Sequence, residues 1–322
     1  MLLYSCLTFS QDFPGNNGKL QVVGHRLCNE RGNPVILKGV SMFGHSYFPE
    51  CITYEGFKVL RHEWNCNVIR TTVFISEKYD KLCYNNNPNY NKAWIDSIVE
   101  WCGLLDMYCI IDWHVLNPGN PNDKEYYGAE DFWNSISLKY KNKKYLLYEI
   151  CNEPHGNDVT WDTVAEFANK IIKIIRKNDP NTIIIIGTPN WSQKLEQVDP
   201  AKIENTKNVM YSFHFYAATH SFLYDEFIKQ IHRIPVFVTE WGVSEASGDG
   251  KTDYAMGDKY LDAMEMHVQG TDTVYISSCI FSYADKNESS ALLKPGSCNN
   301  RQWNNTTPAG DYLKKRLLQK AR

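Results

Sequence analysis

Eight short apolar runs, each followed by a stretch with helical periodicity, constrain the fold of this 322-residue chain more than any other feature. Apolar residues follow one another directly in these runs, as at 183–186, which is typical of parallel strands covered on both faces. The predicted strands are residues 35–42, 68–73, 108–114, 145–153, 182–187, 209–216, 236–242 and 273–282. Candidate helices lie near residues 54–65, 92–105, 128–141, 160–178, 192–198, 220–232, 254–268 and 309–320. Eight βα repeats predict a closed (β/α)8 barrel, the TIM-barrel architecture.

A short segment ahead of these repeats predicts a small N-terminal β-hairpin. Residues 19–23 and 26–28 flank Gly24-His25, and we expect the hairpin to close one end of the barrel. The alternative fold is a doubly wound open sheet. That fold would need a glycine-rich phosphate-binding turn after an early strand, and residues 39–44 (Gly-Val-Ser-Met-Phe-Gly) do not form one. The sequence therefore predicts a single (β/α)8 domain over residues 19–322.

Several features favour a secreted, extracellular protein. Residues 1–18 begin with an apolar stretch (Met-Leu-Leu-Tyr-Ser-Cys-Leu), so we expect the remnant of a secretion leader and an N-terminal extension there. Ten cysteines without the spacing of a zinc module favour several disulfides, and four Asn-x-Ser/Thr acceptors are compatible with secretion. Three of the cysteines lie in apolar strand patterns, where a buried thiol is as good an interpretation as a disulfide: Cys109, Cys151 and Cys279.

Charge and composition narrow the range of partners. The net charge is −3 and no Lys/Arg stripe occurs, so the sequence offers no attraction for nucleic acid or an anionic membrane surface. No later run of eighteen apolar residues predicts a transmembrane helix. Aromatic residues make up 13% of the chain, and flat apolar rings pack well against the C–H faces of sugars. These features favour a neutral substrate.

Two glutamates at the ends of predicted strands indicate the chemistry. Glu153 lies in Tyr148–Pro154 and Glu240 lies in Val236–Gly242. The C-terminal ends of barrel strands meet at one mouth, where barrel enzymes carry their catalytic residues. Cleaving an acetal between sugars needs one carboxyl group to protonate the leaving oxygen and another to meet the developing oxocarbenium ion. The pair therefore predicts glycoside hydrolysis, and the alternative interpretation is two unrelated glutamates.

Other polar side chains fall at the same strand ends. Arg70 could keep a carboxylate ionised, and Asn152 could hydrogen-bond a sugar 2-hydroxyl. His214 and Tyr216 could orient the two glutamates, and residues 112–114 (Asp-Trp-His) end another strand. A single histidine or arginine of this kind is usually a core residue or part of an ion pair. The prediction of a site depends on their joint occurrence.

With these motifs, the chain resembles glycoside hydrolase family 5, and it is most similar to the endo-β-1,4-glucanases (cellulases) of bacteria and invertebrates. The resemblance covers nearly everything from about Lys19 to about Leu293. The matching segments are Asn67–Arg70, Ile110–His114, Tyr148–Pro154, Gly187–Ser192, His214–Tyr216, Val238–Gly242 and Asp285–Leu292.

The resemblance implies roles for individual residues. Glu153 would be the acid/base and Glu240 the nucleophile of a retaining hydrolysis. Trp191 would be a sugar platform beyond the scissile bond. The remaining implied residues are the supporting Arg70, His114, Asn152, His214 and Tyr216, and the donor-side hydroxyl binders Lys286 and Glu288.

The departures from the family pattern concentrate on aromatic positions. The tryptophan beneath the sugar at the cleavage point corresponds to Phe281, or to Tyr283 if the alignment shifts. Phenylalanine keeps a stacking face but lacks the indole N–H. The family's histidine and tryptophan after the first strand correspond to Phe43 and Tyr47, and a tyrosine near the second strand corresponds to Phe74. We expect weaker substrate positioning on the donor side.

The expected reaction has two displacements. Glu240, kept ionised by Arg70, attacks the anomeric carbon, while Glu153, its pKa raised by nearby negative charge, protonates the leaving oxygen. Retention predicts carboxyl groups about 5–5.5 Å apart. We expect a monomer that needs no metal or cofactor and acts on a β-1,4-linked polysaccharide, with cellulose preferred. The alternatives are a β-mannanase, a xyloglucan-acting enzyme, or a carbohydrate-binding protein with reduced activity.

Overall fold

A closed barrel of eight parallel strands forms the centre of the computed structural model, which describes residues 13–76 and 81–319. The strands of this part of the chain are β1 (Gln21–Val23), β2 (Arg26–Cys28), β3 (Lys38–Met42), β4 (Val68–Phe74), β5 (Tyr108–His114), β6 (Leu146–Glu149), β7 (Ile183–Ile186), β8 (Val209–Tyr216), β9 (Val236–Gly242), β10 (His267–Gln269), β11 (Asp272–Val274) and β12 (Ser278–Tyr283). Strands β3 to β9 follow one another around the barrel, and β12 closes it between β9 and β3. The predicted (β/α)8 barrel is confirmed.

The longer helices cover the outside of the barrel. The helices of the described residues are α1 (Pro14–Asn17), α2 (Tyr54–Glu63), α3 (Pro88–Leu104), α4 (Ala129–Tyr140), α5 (Trp161–Asn178), α6 (Pro189–Ser192), α7 (Tyr224–Gln230), α8 (Tyr254–Glu265) and α9 (Pro308–Leu318). The longest, α5, shows why they form: Thr160 caps its first turn, and its apolar residues recur at helical spacing and are buried. In the described parts of the chain, no helix has the length and apolarity needed to cross a membrane.

The β1–β2 hairpin closes the N-terminal end of the barrel. Leu20 and Leu27, from the hairpin region, pack in one apolar cluster with first residues of barrel strands, among them Val68, Tyr108 and Ile183. The hairpin was predicted, and the apolar cluster explains its position. The C-terminal ends of the strands are left to form the open mouth, which is where barrel enzymes place their sites.

Several predicted elements differ from the structure. The helix expected at 192–198 is wrong: α6 ends at residue 192, and its Asn190 and Trp191 have left-handed φ values of 59° and 58°, followed by a 3-10 turn at Leu195–Gln197. Such φ values interrupt a right-handed helix. The strand expected at 273–282 is a hairpin strand, β11, followed by the separate strand β12. The helix expected at 220–232 is a 3-10 turn followed by the short helix α7.

One disulfide joins the loop after β3 to the segment that follows β12. It links Cys51 to Cys298. Several disulfides were expected, and the described residues contain this one. Their other cysteines are buried thiols: Cys28, Cys66, Cys83, Cys102, Cys109, Cys151 and Cys279. The expected leader remnant at residues 1–12 lies outside the described residues.

Candidate active site

The two predicted glutamates lie in one cleft at the C-terminal end of the barrel. Glu240 is on β9, whereas Glu153 lies in the loop beyond β6, because that strand ends at Glu149 rather than at residue 153 as expected. The cleft has a volume of about 320 Å³. Its lining includes Glu153, Trp191, Gln193, His214, Tyr216 and Glu240. A carboxylate oxygen of Glu153 and one of Glu240 lie within 4.8 Å of each other.

Glu240 is held by two donors. Its Oε2 accepts a hydrogen bond from Arg70 Nη1 at 3.2 Å, and its Oε1 accepts one from the Tyr216 hydroxyl at 2.7 Å. Burial raises the pKa of Glu240 and the charge of Glu153 adds to this, while the charge of Arg70 opposes both. Both donors favour the ionised form of Glu240. The expected contact with Arg70 is present, but it does not lower the pKa below its ordinary value.

Arg70 contacts more carboxylates than the sequence suggested. It is fully buried, and besides Glu240 it contacts Glu149, with Nε 2.7 Å from Oε2, and Asp112, with Nη2 3.1 Å from Oδ2. Its Nη2 also donates to Asn152 Oδ1 at 2.6 Å. One guanidinium therefore contacts three buried carboxyl groups, and burial raises the pKa of Asp112 to about 7 against the attraction of Arg70. This site carries more acidic groups than one cation can neutralise.

Glu149 is a member of the site that sequence reasoning missed. It is fully buried, and Thr239 Oγ1 donates to its Oε1 at 2.7 Å. The available signal was a charged residue within the apolar strand pattern of residues 145–153, because a charge buried at such a position needs a partner. Thr239 precedes Glu240 in the chain and was also missed.

His214 connects Glu153 to Glu149 through Thr239. Its Nδ1 lies 2.9 Å from Glu153 Oε1, and its Nε2 lies 2.8 Å from Thr239 Oγ1. The single Thr239 proton is donated to Glu149, so Thr239 accepts a hydrogen bond from His214 Nε2–H. Burial lowers the pKa of His214 to about 4, so the ring is neutral at pH 7 and its Nδ1 carries a lone pair. That lone pair can accept a hydrogen bond only from a protonated Glu153.

The pKa of Glu153 agrees with this arrangement. Burial raises it to about 8, the charges of Asp112 and Glu149 add to the shift, and the charge of Arg70 opposes it. The direction matches the expectation, but burial is the main cause and nearby negative charge the lesser one. About 13% of the Glu153 side chain is exposed, so a substrate can reach it. Glu153 can thus donate a proton near neutral pH, whereas Glu240 has two donors that favour its ionised form.

His114 and Asn152 are also part of this network. His114 Nδ1 lies 2.7 Å from Asp112 Oδ2, and burial together with the charge of Arg70 lowers the pKa of His114 to about 3. The neutral ring therefore donates its Nδ1–H to the carboxylate. Asn152 donates from Nδ2 to the Val115 carbonyl at 3.2 Å, besides accepting from Arg70. Both side chains are fixed by the protein itself.

The predicted aromatic positions lie on two sides of this network. Trp191 is 42% exposed, and its ring stacks on His155 with centroids 4.5 Å apart. On the other side, the ring centroid of Phe74 lies 4.4 Å from that of His114 and 4.7 Å from that of Tyr47.

Phe43 lies at the centre of that second side. Its ring centroid is 5.5 Å from that of Phe281, and Lys286 Nζ lies 4.4 Å above it. Lys286 Nζ pairs with Glu288 Oε2 at 2.5 Å. Tyr283, the alternative to Phe281, is fully buried and donates to the Trp303 carbonyl, so it points away from this surface.

The chain is similar to known proteins over most of its length. The family model described as Cellulase (glycosyl hydrolase family 5) matches residues 28–287. Endoglucanase E-5 of Thermobifida fusca is 36% identical over 87% of this chain and 59% of its own length. An endoglucanase of Clostridium saccharobutylicum is 38% identical over 93% of this chain and 65% of its own. The chain thus spans about three fifths of the length of these relatives.

Solved structures show the same similarity. Cellulase Cel5C_n is 40% identical with a TM-score of 0.84, and the match covers 95% of this chain and 93% of that one. The catalytic domain of Thermobifida fusca endoglucanase Cel5A, in complex with cellotetraose, is 32% identical with a TM-score of 0.84 over 95% of this chain and 99% of that one. This chain therefore belongs to the cellulase family, glycosyl hydrolase family 5.

Proposed function

We propose that this protein is a retaining endo-β-1,4-glucanase, with Glu153 as acid/base and Glu240 as nucleophile. The observation that carries the proposal is the unequal setting of the two carboxyl groups in one cleft. Glu153 has a pKa of about 8 and contacts a neutral histidine, whereas Glu240 accepts from a guanidinium and a phenol. Glycoside hydrolysis requires such a division between a proton donor and a charged group.

In the first step, a Glu240 oxygen attacks the anomeric carbon while Glu153 donates its proton to the departing glycosidic oxygen. The bond to the leaving sugar breaks, and an ester between Glu240 and the remaining sugar forms. In the second step, Glu153, now a carboxylate, takes a proton from water, and the resulting hydroxide oxygen attacks the same carbon. Glu240 leaves as a carboxylate, and the product keeps the anomeric configuration of the substrate.

The separation of the carboxyl groups supports retention over inversion. Inverting enzymes hold these groups roughly 6.5–9.5 Å apart to admit a water, against about 5–5.5 Å in retaining ones. Oxygens of Glu153 and Glu240 approach within 4.8 Å. This close approach favours the shorter, retaining separation.

The surrounding residues have supporting roles in this proposal. Arg70 and Tyr216 keep Glu240 ionised and aimed, and His214 holds Glu153. Asn152 hydrogen-bonds the sugar 2-hydroxyl, and His114 supports the site through its contacts with Asp112 and Phe74. Trp191 stacks on a sugar on the leaving-group side. The donor side is formed by Tyr47, Phe281, Lys286 and Glu288.

A β-1,4-glucan is the proposed substrate class. The relatives carry the name endoglucanase, and the Thermobifida fusca domain was solved with cellotetraose. The second candidate is a mannan or xyloglucan. Phe281 favours it, because a phenylalanine in place of the family's tryptophan beneath the sugar at the cleavage point changes the fit of the sugar. Initial rates on carboxymethyl cellulose, mannan and xyloglucan decide between them. Faster turnover of mannan than of carboxymethyl cellulose overturns the glucanase assignment, whereas faster turnover of xyloglucan identifies a branched β-1,4-glucan as the preferred substrate.

The protein is further proposed to act outside the cell as a single monomeric domain over residues 19–322. The Cys51–Cys298 disulfide supports an oxidising compartment. A sedimentation experiment on the purified protein tests the monomer, and a mass of two chains would contradict it. Recovery of the protein from the culture medium of its host tests the location.

The role assignment is tested with two variants and two substrates. In Glu153→Gln, hydrolysis of cello-oligosaccharides should fall by at least about 10²-fold. An aryl cellobioside with a good leaving group should still release one phenol per chain in a rapid burst, because that leaving group needs no proton, and later turnovers should be slow because the second step has lost its base. In Glu240→Gln, both the burst and turnover should be lost. The control is Glu204→Gln, an exposed glutamate outside the cleft. The absence of a phenol burst in Glu153→Gln would contradict its role as the acid.

A further inference from the structure

A second cluster of titratable side chains lies at the end of the barrel opposite the cleft. His25 occupies the turn between β1 and β2, where Gly24 supplies the positive φ of 63° that the turn requires. His232 lies between α7 and β9, and Asp272 begins β11, ahead of β12. Because the hairpin closes the N-terminal end of the barrel and β9 and β12 start there, the three residues meet at that end.

The three side chains converge at one oxygen. His25 Nε2 lies 3.0 Å from Asp272 Oδ2, and His232 Nδ1 lies 2.6 Å from the same atom. One nitrogen or oxygen from each residue lies within 4.8 Å of those of the other two. Zinc–ligand distances of about 2.0–2.1 Å place the ligand atoms of a tetrahedral site roughly 3.3 Å apart. Small side-chain rotations would therefore bring the three atoms around one ion.

His25 Nε2 is shielded from solvent and is directed at the carboxylate of Asp272. It lies 3.0 Å from Asp272 Oδ2, the same oxygen that His232 Nδ1 approaches from the other element. Two imidazole nitrogens directed at one carboxylate oxygen are a donor set that a metal ion can join.

Two further contacts orient the ligands. His232 Nδ1 donates to Asp272 Oδ2 in the metal-free protein, and His232 Nε2 lies 2.9 Å from His267 Nδ1. When an ion binds, a shift of the ring proton to Nε2, where His267 accepts it, frees the Nδ1 lone pair for the metal. Arg26 holds the other oxygen of Asp272, Oδ1. Outer partners of this kind fix the tautomer and orientation of metal ligands. The side chains of His25 and Asp272 remain 22% and 28% exposed, so an ion and a water can reach them.

We propose that His25, His232 and Asp272 form a binding site for Zn²⁺ or another divalent transition metal that accepts tetrahedral coordination, with water as the fourth ligand. Two imidazoles and one carboxylate suit such an ion, whereas Ca²⁺ and Mg²⁺ prefer oxygen ligands throughout. The ion links the N-terminal hairpin to the segments ahead of β9 and β12. Its effect is on stability, because the site lies at the end of the barrel away from Glu153 and Glu240.

The proposal is tested by titrating metal-stripped protein with Zn²⁺ in a calorimeter and by measuring thermal unfolding with and without the ion. One ion should bind per chain, and at about 100 times the Kd the unfolding midpoint should rise by roughly 4 °C. His25→Ala and His232→Ala should each weaken binding at least about tenfold. His62→Ala, an exposed histidine on α2, is the matched control and should bind as the unaltered protein does.

The cleft contains a competing set of donors, since Glu153, His214 and Glu240 also have atoms within 4.8 Å of one another. Glu153→Gln separates the two sites. Zinc binding that is lost in Glu153→Gln but kept in His25→Ala would overturn the proposal, as would the absence of binding or an unchanged affinity in both histidine variants. Unfolding midpoints measured without zinc show whether the variants are folded, and His25→Gln, which retains bulk at the turn, provides a second test there.

Discussion

His214 Nδ1 lies 2.9 Å from Glu153 Oε1, and this contact joins the proposed acid to a buried charge that the substrate never touches. The other nitrogen of the same ring contacts Thr239, which donates to Glu149. Glu149 is only four positions before Glu153 in the chain, yet the connection runs through side chains of β8 and β9. The protonation of Glu153 therefore depends on residues outside the cleft as well as on its own burial.

The pH dependence of kcat/KM should show this raised pKa. Glu153 acts as an acid in its protonated form, which prevails below its pKa of about 8, so kcat/KM should decline as the pH rises through 8. The acidic limb should reflect protonation of Glu240, whose pKa is also raised by burial. A pH profile on a soluble cello-oligosaccharide checks this. An alkaline limb that persists in Glu153→Gln on an activated aryl cellobioside would assign it to another group.

Thr239→Val should reduce kcat roughly tenfold with little change in KM, because His214 loses the acceptor that fixes its tautomer and Glu153 loses a well-oriented partner. Thr239→Ser keeps the hydroxyl and should retain most of the activity. Steady-state kinetics on cellotetraose compare the two variants. If serine and valine at this position reduce kcat equally, the hydroxyl has no positioning role.

Glu149→Gln should move the alkaline limb to lower pH, because the negative charge of Glu149 is one of the groups that raise the pKa of Glu153. The same change weakens a buried contact of Arg70, but Asp112 and Glu240 still neutralise the guanidinium, so the free energy of unfolding should fall by only about 1 kcal/mol. Denaturant unfolding and a pH profile measure the two effects separately. If folded Glu149→Gln keeps its alkaline limb at the same pH, the charge of Glu149 does not raise the pKa of Glu153.

The sequence predicted the barrel and most of this site because both depend on local pattern. Glu240, His214 and Tyr216 are at the ends of long apolar runs, where parallel strands present their last residues to one mouth. Glu149 was missed although a charge within an apolar strand pattern is a local signal, because its partner Arg70 is on a different strand and the sequence does not show which residues pair. Trp191 was placed ahead of a helix that does not form, since a left-handed backbone at a tryptophan has no sequence signal. The cluster of His25, His232 and Asp272 was not predicted, because its members are far apart in the chain.

Phe281→Ala should raise KM for cello-oligosaccharides by about tenfold with a smaller change in kcat, because the substitution removes a ring from the proposed sugar-binding floor. Phe281→Leu keeps apolar bulk without an aromatic face, so its KM should lie between those of the unaltered protein and Phe281→Ala. Tyr127→Ala, which removes a ring that is 76% exposed and outside the cleft, is the control. Unchanged KM in Phe281→Ala would remove this residue from the substrate site.

Peptide mass mapping after reaction with an activated 2-deoxy-2-fluoro-cellobioside tests the proposed mechanism most directly, because the fluorine slows release of the covalent intermediate. The proposal predicts one fluorosugar per chain, attached to the peptide that contains Glu240, with no labelling of Glu240→Gln. Labelling at Glu153, or hydrolysis of the reagent without any covalent adduct, would contradict it.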